Sequence, residues 1–390
     1  MPRPTTQRRA HRRTVPRGRF NALAASASIA AAAGFVAIAT SGASAAPVPW
    51  SYQQSTVYTE TNQVAGNTVL AYSAGPSGAL TQVGSFPTGG TGTGAGPASQ
   101  GGVTLGDNGL LLAVVNGGSN SVSVFAVGPR GNLALVETAS SGGLDPISVT
   151  IHGIWVYVLN NGSATVPGNI SGFVLSPFGH GPTDTQALNA AASSPEQVGF
   201  TPNGRDLLVT EKASNTIDVF PVNFFGLAGP AVTTTLSSGI GPYGFGFTPD
   251  GVAVVSEAAY GGVGTFWVNN NGTLSQIRQV ADGQLAPCWV AVTASGNEVF
   301  AANAHSGTVS AYDIAPSGTL ALLPPAVQAN PGIADTDLAI AGNSNLYISD
   351  QPDFDASAIS PAGSLSPSVT VASGLPTGTF GLAATSSAGF

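Results

Sequence analysis

The sequence predicts an all-β fold, a seven-bladed β-propeller with four antiparallel strands in each blade. One observation is a module at residues 195–220, PEQVGFTPNGRDLLVTEKASNTIDVF, in which three short apolar runs are separated by two turn signals. Runs of about five residues that are rich in Val, Ile, Leu and Phe and bounded by Gly, Pro and Asn are typical of strands. A second observation is that the turn glycines Gly204, Gly251 and Gly296 follow one another at intervals of 47 and 45 residues. A repeat of about 40 to 50 residues with four short strands is typical of β-propellers.

The order of the predicted strands indicates how the ring closes. The first strand of a repeat is predicted at 102–105, 147–151, 197–201, 243–248, 289–293, 337–341 and 379–384. The N-terminal repeat lacks a first strand and has only the other three, at 57–61, 68–74 and 81–86. We therefore expect the C-terminal strand to complete the N-terminal blade, which leaves no exposed strand edges at the ends of the ring.

The N-terminal region differs in composition from the rest of the chain. The first 45 residues contain seven arginines and no acid, an Ala-rich apolar run at 22–40, and the small-residue site Ala43-Ser44-Ala45. This pattern predicts a secretory signal peptide at 1–45. It leaves a lead-in at 46–55, one propeller domain at 56–385 and a tail at 386–390. An uncleaved membrane anchor is the alternative, but the weak hydrophobicity of the run favours cleavage, secretion and no stable membrane insertion afterwards. The paired arginines also permit twin-arginine export.

Charge and cysteine content exclude several classes of protein. After removal of the predicted signal, 19 acids remain with four basic residues, so the formal net charge is −15 rather than −8. Such a chain repels nucleic acid and anionic membranes. The single cysteine, Cys288, excludes an internal disulfide framework. A closed propeller is compatible with a monomer, which we expect, and no cofactor is expected.

Three segments resemble the secreted lactonase-like seven-bladed propellers: GFTPNGRDLLVTEKASNTIDVF (199–220), GPYGFGFTPDGVAVVSEA (241–258) and APCWVAVTASGNEVFAANAHSGTVSAY (286–312). That family is related to bacterial 6-phosphogluconolactonase, to the fungal carboxymuconate-cyclising enzyme and to surface-layer propellers with Tyr-Val-Thr-Asn repeats. The resemblance implies an enzyme that opens or forms a small lactone. In the family's enzymes a Pro-Arg-His or Pro-His begins a first strand, and an Asn-Glu ends a second strand. Here Pro195-Glu196-Gln197 and Pro146-Ile147 stand at such strand starts, and the strand-ending acid is retained as Glu211. A phosphorylated lactone is therefore not expected.

The antiparallel strand order places the start of each first strand and the end of each second strand at one mouth of the channel. The residues predicted to bind a ligand there are Glu196, Tyr243, Cys288, Trp289, Asn303 and Asp337. The residues predicted to be catalytic there are Glu211, Lys212, Glu257 and His305. Two nearby carboxyl groups can divide the roles of acid and base; the alternative for Glu211, Lys212 and Glu257 is a solvated rim of salt bridges. A thiolate–imidazole pair of Cys288 and His305 is a further alternative, although a lone cysteine is more often a small buried side chain.

Three functions remain open from the sequence. The first is hydrolysis or formation of a small lactone by acid–base chemistry, with a lactone, sugar acid or cyclic acid as ligand. The second is a non-catalytic extracellular propeller that binds a ligand or a cell-envelope component. The third is a calcium-dependent lactone hydrolase, for which the acidic loop of Asp350, Asp353 and Asp355 is the densest cluster of carboxylates.

Overall fold

The computed structural model describes residues 55–96, 99–106, 109–175, 182–188, 193–332, 335–342 and 344–385, with the backbone alone at 335–336. The predicted signal peptide, the lead-in up to residue 54 and the predicted tail lie outside the described residues. No described helix is long and apolar enough to cross a membrane.

The described residues form seven four-stranded antiparallel sheets, which we number as blades 1 to 7. Blade 1 contains β1 (Ser55–Glu60), β2 (Thr68–Ala74) and β3 (Leu80–Pro87), together with the C-terminal strand described below. Blade 2 contains β4 (Val103–Leu105), β5 (Leu111–Asn116), β6 (Ser121–Val127) and β7 (Leu133–Ser140), and blade 3 contains β8 (Pro146–His152), β9 (Trp155–Asn160), β10 (Asn169–Val174) and β11 (Asp184–Ala187). Blade 4 contains β12 (Pro195–Phe200), β13 (Asp206–Glu211), β14 (Thr216–Pro221) and β15 (Val232–Thr235). Blades 5 to 7 consist of β16 (Pro242–Phe247), β17 (Val252–Glu257), β18 (Gly262–Val268) and β19 (Leu274–Ala281); β20 (Pro287–Val292), β21 (Glu298–Asn303), β22 (Thr308–Ile314) and β23 (Leu320–Leu322); and β24 (Asp335–Ala341), β25 (Asn345–Asp350), β26 (Asp353–Ala358) and β27 (Val369–Ala372). The only helical elements in the described residues are the short 3₁₀ turns Gly117–Ser119 and Pro129–Gly131.

The C-terminal strand β28 (Phe380–Ala384) pairs with β1 and is the inner strand of blade 1, so the predicted closure of the ring is confirmed. Each inner strand lies beside the inner strands of the blades before and after it, and β28 lies between β24 and β4. The seven-bladed fold and the four strands per blade are likewise as predicted.

In blades 3 and 4 the third residue of the inner strand bonds the backbone of the next inner strand. In blade 3 the Ser148 hydroxyl accepts a hydrogen bond from the Val198 N–H of blade 4 at 3.2 Å. Gln197 of blade 4 bonds both the N–H and the C=O of Phe245 in blade 5, at 2.6 and 3.0 Å. These bonds satisfy backbone groups that the strand edge facing the channel would otherwise leave unpaired.

The apolar core lies between the blades. One cluster packs Ile147 and Tyr157 of blade 3 against Phe200, Leu207 and Phe220 of blade 4, and similar clusters join other neighbouring blades. Because each blade buries its faces against its neighbours, the ring depends on every blade being present.

The Pro-Asn-Gly turn at Pro202 to Gly204 joins β12 to β13 at the face opposite the predicted mouth. Gly204 has φ +66°, in the left-handed region that favours glycine. At the mouth face, β12 begins opposite the end of β13, since Pro195 pairs with Glu211. This register brings strand starts and strand ends together, as predicted from the antiparallel strand order.

Candidate functional site at the channel mouth

The second strand of every blade ends in an acid or an amide. These residues are Glu60, Asn116, Asn160, Glu211, Glu257, Asn303 and Asp350. Where the residue is Asn116 or Asn303, its amide nitrogen bonds two hydroxyls of the third strand of its own blade, for Asn303 those of Thr308 (3.1 Å) and Ser310 (2.9 Å). The position therefore braces the hairpin between the second and third strands. Asn303, predicted to bind a ligand, has this bracing role and is fully buried.

Glu211 and Glu257, both predicted to be catalytic, occupy the same position at the ends of β13 and β17. Glu211 is 1% exposed, and burial raises its pKa to about 8; the neighbouring Asp218 contributes to that rise. The Glu257 carboxylate accepts a hydrogen bond from the Gln279 amide at 2.6 Å, and burial raises its pKa to about 7. Both carboxyl groups thus face the interior of their blades.

Lys212 follows directly after β13, and its side chain takes a different direction from that of Glu211, as strand alternation predicts. Its ammonium lies 3.3 Å from the Glu196 carboxylate and 4.9 Å from the centre of the Tyr243 ring. Two-fifths of the lysine side chain is exposed, whereas the glutamate side chain is only 3% exposed. Lys212 is therefore the charged group of this cluster that solvent reaches first.

Glu196 reaches the mouth because β12 begins irregularly. Ser194 precedes it in the left-handed region, at φ +55°, and the pairing with β13 shifts between Pro195 and Gln197, so that Glu196 lies in a bulge. Its carboxylate also accepts a hydrogen bond from the Ser194 hydroxyl at 2.9 Å. Burial raises the pKa of Glu196 to about 7, and the Lys212 charge opposes that rise. A carboxyl group with this pKa exchanges its proton near neutral pH.

Tyr243 lies among four other residues predicted to bind a ligand: Glu196, Cys288, Trp289 and Asp337. Burial raises the pKa of Tyr243 well above its usual value, and the nearby Glu196, Cys288 and Asp337 raise it further. The Tyr243 ring packs edge-on against Trp289, with 5.5 Å between ring centres. Asp337 is 1% exposed, and burial raises its pKa to about 7.

His305 does not share this environment. It lies exposed in the turn after β21, whereas Cys288 is 8% exposed and packs in the core beside Tyr243 and Trp289. The thiolate–imidazole alternative therefore pairs an exposed ring with a buried thiol, which makes it the weaker interpretation.

Residues 99–101, which precede β4 and cross the mouth, also belong to the site and were not predicted from the sequence. The Trp289 indole N–H donates to the Ser99 C=O at 2.9 Å, and the Gln100 N–H donates to the Glu196 C=O at 3.1 Å. No local signal predicts these contacts, because Trp289 is 190 residues away along the chain.

A cavity of about 240 Å³ occupies the channel. It is lined by Gln100, Gln197 and Asp337 at the mouth end, together with apolar side chains that include Leu105 and Ile340. Among the described residues, no three His, Cys, Asp or Glu side chains are arranged to hold a metal ion, and this includes the acidic loop at Asp350 to Asp355.

The chain was compared with known proteins. Residues 65–168 and 252–336 match the family model described as lactonase, 7-bladed beta-propeller. No curated protein shows a significant sequence match. A candidate 6-phosphogluconolactonase of Bacteroides fragilis superposes with a TM-score of 0.65 and 19% identity, over 87% of this chain and 100% of that one. The periplasmic gluconolactonase of Pseudomonas aeruginosa gives 0.66 and 17%, over 83% and 98%. A streptogramin B lyase gives 0.53 and 14%, over 74% and 87%. At these identities the solved structures show a shared fold.

Proposed function

Because the chain belongs to the lactonase-like seven-bladed β-propellers, we propose that it hydrolyses a small, uncharged lactone at the channel mouth. The observation that carries the proposal is the Glu196–Lys212 pair, a carboxylate with a pKa of about 7 held 3.3 Å from the ammonium of a partly exposed lysine. A base that titrates near neutral pH and a positive charge that stabilises an oxyanion are the two groups that ester hydrolysis requires.

In the proposed reaction Glu196 removes a proton from a water molecule as the water oxygen attacks the lactone carbonyl carbon. The carbonyl oxygen becomes an oxyanion, which the Lys212 ammonium stabilises. The ring C–O bond then breaks, Glu196 returns the proton to the leaving oxygen, and the product is a hydroxy acid. The Tyr243 ring beneath Lys212 holds the ammonium at the rim by a cation–π contact.

The charges of the described residues favour an uncharged substrate. Arg130 and Arg205 lie in turns at the opposite face, and Arg278 lies on the outer strand β19. Lys212 is therefore the one Lys or Arg side chain that the described residues place at the mouth. A phosphate group needs several cations or a bidentate arginine to hold it, so a phosphorylated lactone fits this mouth poorly.

Replacing Glu196 tests the proposal. In a panel of small lactones followed by proton release, Glu196→Gln is expected to lower kcat/KM by about 100-fold or more, since general-base catalysis contributes about 10² to 10⁴. Glu298→Gln, the same change at an acid on the opposite face, is the matched control. Glu211→Gln distinguishes the structural interpretation from the sequence prediction, which placed the base there. No turnover by the parent on any lactone would favour the non-catalytic binding propeller instead.

The pH profile gives a second prediction. The base must be ionised to act, so kcat/KM is expected to rise with pH through an inflection near 7, the pKa of Glu196. Lys212 lowers that pKa, and Lys212→Met is therefore expected to move the inflection to higher pH as well as to lower the rate. An inflection that stays in place after the substitution contradicts the assignment of Glu196 as the base.

A further inference from the structure

Residues 99–101, which we call the mouth strap, connect the inner strands of three blades. The Ser99 hydroxyl donates to the Ile147 C=O of blade 3 at 2.9 Å, and its C=O accepts from Trp289 of blade 6. The Gln100 N–H bonds the C=O of Glu196 in blade 4. The strap is thus attached at several points around the mouth and lies against the backbone of the proposed base.

The side chain of Gln100 extends the strap to the opposite side of the ring. Its amide donates to the Val290 C=O at 2.8 Å and accepts from the Val290 N–H at 3.2 Å. Gln197 makes the same pair of bonds to the next inner strand one blade earlier. Gln100 is only 9% exposed, although it comes from a loop.

Blade 5 explains why a residue from the strap is needed at this point. The third residue of its inner strand is Gly244, which has no side chain to reach Val290 of blade 6. A Cβ built on Gly244 would collide with the Gln100 amide oxygen. Gln100 therefore fills the space of the missing side chain and bonds the backbone that this side chain would have bonded.

Gln100 contacts both the proposed base and the channel. Its N–H bonds the Glu196 C=O, and the residue forms part of the wall of the cavity of about 240 Å³. Toward the opposite face, Leu105, Ile340 and Ala384 give this cavity an apolar lining. Its volume is several times the roughly 30 Å³ that one water molecule occupies in the liquid, so the cavity has room for an alkyl chain of several carbons.

We propose that Gln100 is a specificity-determining residue that closes the channel behind the Glu196–Lys212 site and excludes lactones with long apolar substituents. The proposal rests on the lactonase activity proposed above. It assigns to the strap a role that bracing of the ring alone does not require, namely a limit on the size of the substrate.

The first test measures substrate preference. Gln100→Ala joins the cavity to the mouth, so the ratio of kcat/KM for a butyl-substituted lactone to that for the unsubstituted lactone is expected to rise at least tenfold, because each methylene placed in an apolar pocket changes the rate by about tenfold or more. Gln197→Ala is the matched control: Gln197 also lines the cavity and makes the same two backbone bonds, but its side chain reaches only the neighbouring blade and does not span the channel. A ratio that is unchanged in Gln100→Ala, or raised equally in both variants, overturns the proposal.

The second test needs no enzymatic activity. Cys288 is the single cysteine, lies one strand position after the proline that begins β20, and is 8% exposed. Alkylation of Cys288 by iodoacetamide is expected to be at least tenfold faster in folded Gln100→Ala than in the parent, and to change less in Gln197→Ala. Equal rates in the two variants show that Gln100 only braces the ring. If alkylation of Cys288 is faster in Gln100→Ala but the parent hydrolyses no lactone, then Gln100 does close the channel and the proposed lactonase activity is wrong.

Discussion

Removal of residues 375–390 is expected to lower the melting temperature by about 10 °C or more, or to abolish cooperative unfolding. The deletion removes β28, the inner strand of blade 1, and with it Phe380 and Leu382, which are 2% and 6% exposed. Burial of each such side chain stabilises the fold by about 1.5 to 3 kcal/mol. The deletion also exposes the edge of β1 and removes the contacts of β28 with β24 and β4.

Deletion of residues 386–390 alone is the control, since it leaves β28 in place. A synthetic peptide of residues 375–390 added to the truncated protein gives a sharper readout, because an extended peptide can pair with an exposed strand edge. We expect the peptide to restore a large part of the lost stability, whereas a peptide with Phe380→Ser and Leu382→Ser does not. A truncated protein that melts within about 2 °C of the parent contradicts the closure of the ring by β28.

The architecture was predictable because its signals are local and repeated. Turn residues at Gly204, Gly251 and Gly296 divide the chain, and the apolar runs between them have the length of strands. Five of the seven predicted first strands start one or two residues late, as at 243–248 for β16 (Pro242–Phe247), and those predicted at 102–105 and 379–384 start one residue early. Proline has no N–H to donate and therefore reads as a strand boundary, but Pro242 still lies opposite Glu257 in the observed register.

The site was predictable only in part. The starts of the inner strands were expected at the mouth, and the structure does bring Glu196, Tyr243, Cys288 and Asp337 together there. The direction of a side chain at the end of a second strand was not predictable. A bulge opposite Glu211 interrupts the alternation of side chains along β12. The hydrogen-bond partners of Glu257 and Asn303 come from other strands of the same blade.

The contacts of Gln100 across the channel could not be predicted from the sequence. Its partners are Val290, 190 residues later, and the space left by Gly244. A glycine inside a strand pattern does indicate a close approach of another group. It does not say which residue approaches, and a loop glutamine has no periodic or compositional signal that distinguishes it.

The buried carboxyl groups give the second large prediction, a fall in stability as the pH rises. The groups are Glu60, Glu196, Glu211, Glu257 and Asp337, and in each of them burial is the largest cause of a raised pKa. In the unfolded chain these groups titrate near 4.5 for Glu and 3.8 for Asp. Below about pH 4 both states are protonated, and the stabilisation by the neutral buried form is fully present.

As the pH rises above 4.5 the unfolded chain loses these protons first, so the free energy of unfolding falls until the folded groups also ionise, at about pH 7 for Glu196, Glu257 and Asp337. One pKa unit corresponds to about 1.4 kcal/mol, so the melting temperature is expected to be about 10 °C lower at pH 8 than at pH 5. Differential scanning calorimetry across this range measures the change.

The variant Glu257→Gln measures how much of this pH dependence of the melting temperature comes from Glu257. The amide is nearly the same size as the carboxyl group, keeps an oxygen to accept the Gln279 hydrogen bond, and cannot ionise. The variant is expected to match the parent at pH 5 and to melt at a higher temperature than the parent at pH 8. Asp313→Asn, the equivalent change at an exposed acid on β22, is expected to leave the slope unchanged. A parent whose melting temperature rises from pH 5 to pH 8, or a Glu257→Gln variant with the full parental slope, contradicts the interpretation that these blades are stabilised by neutral buried carboxyl groups.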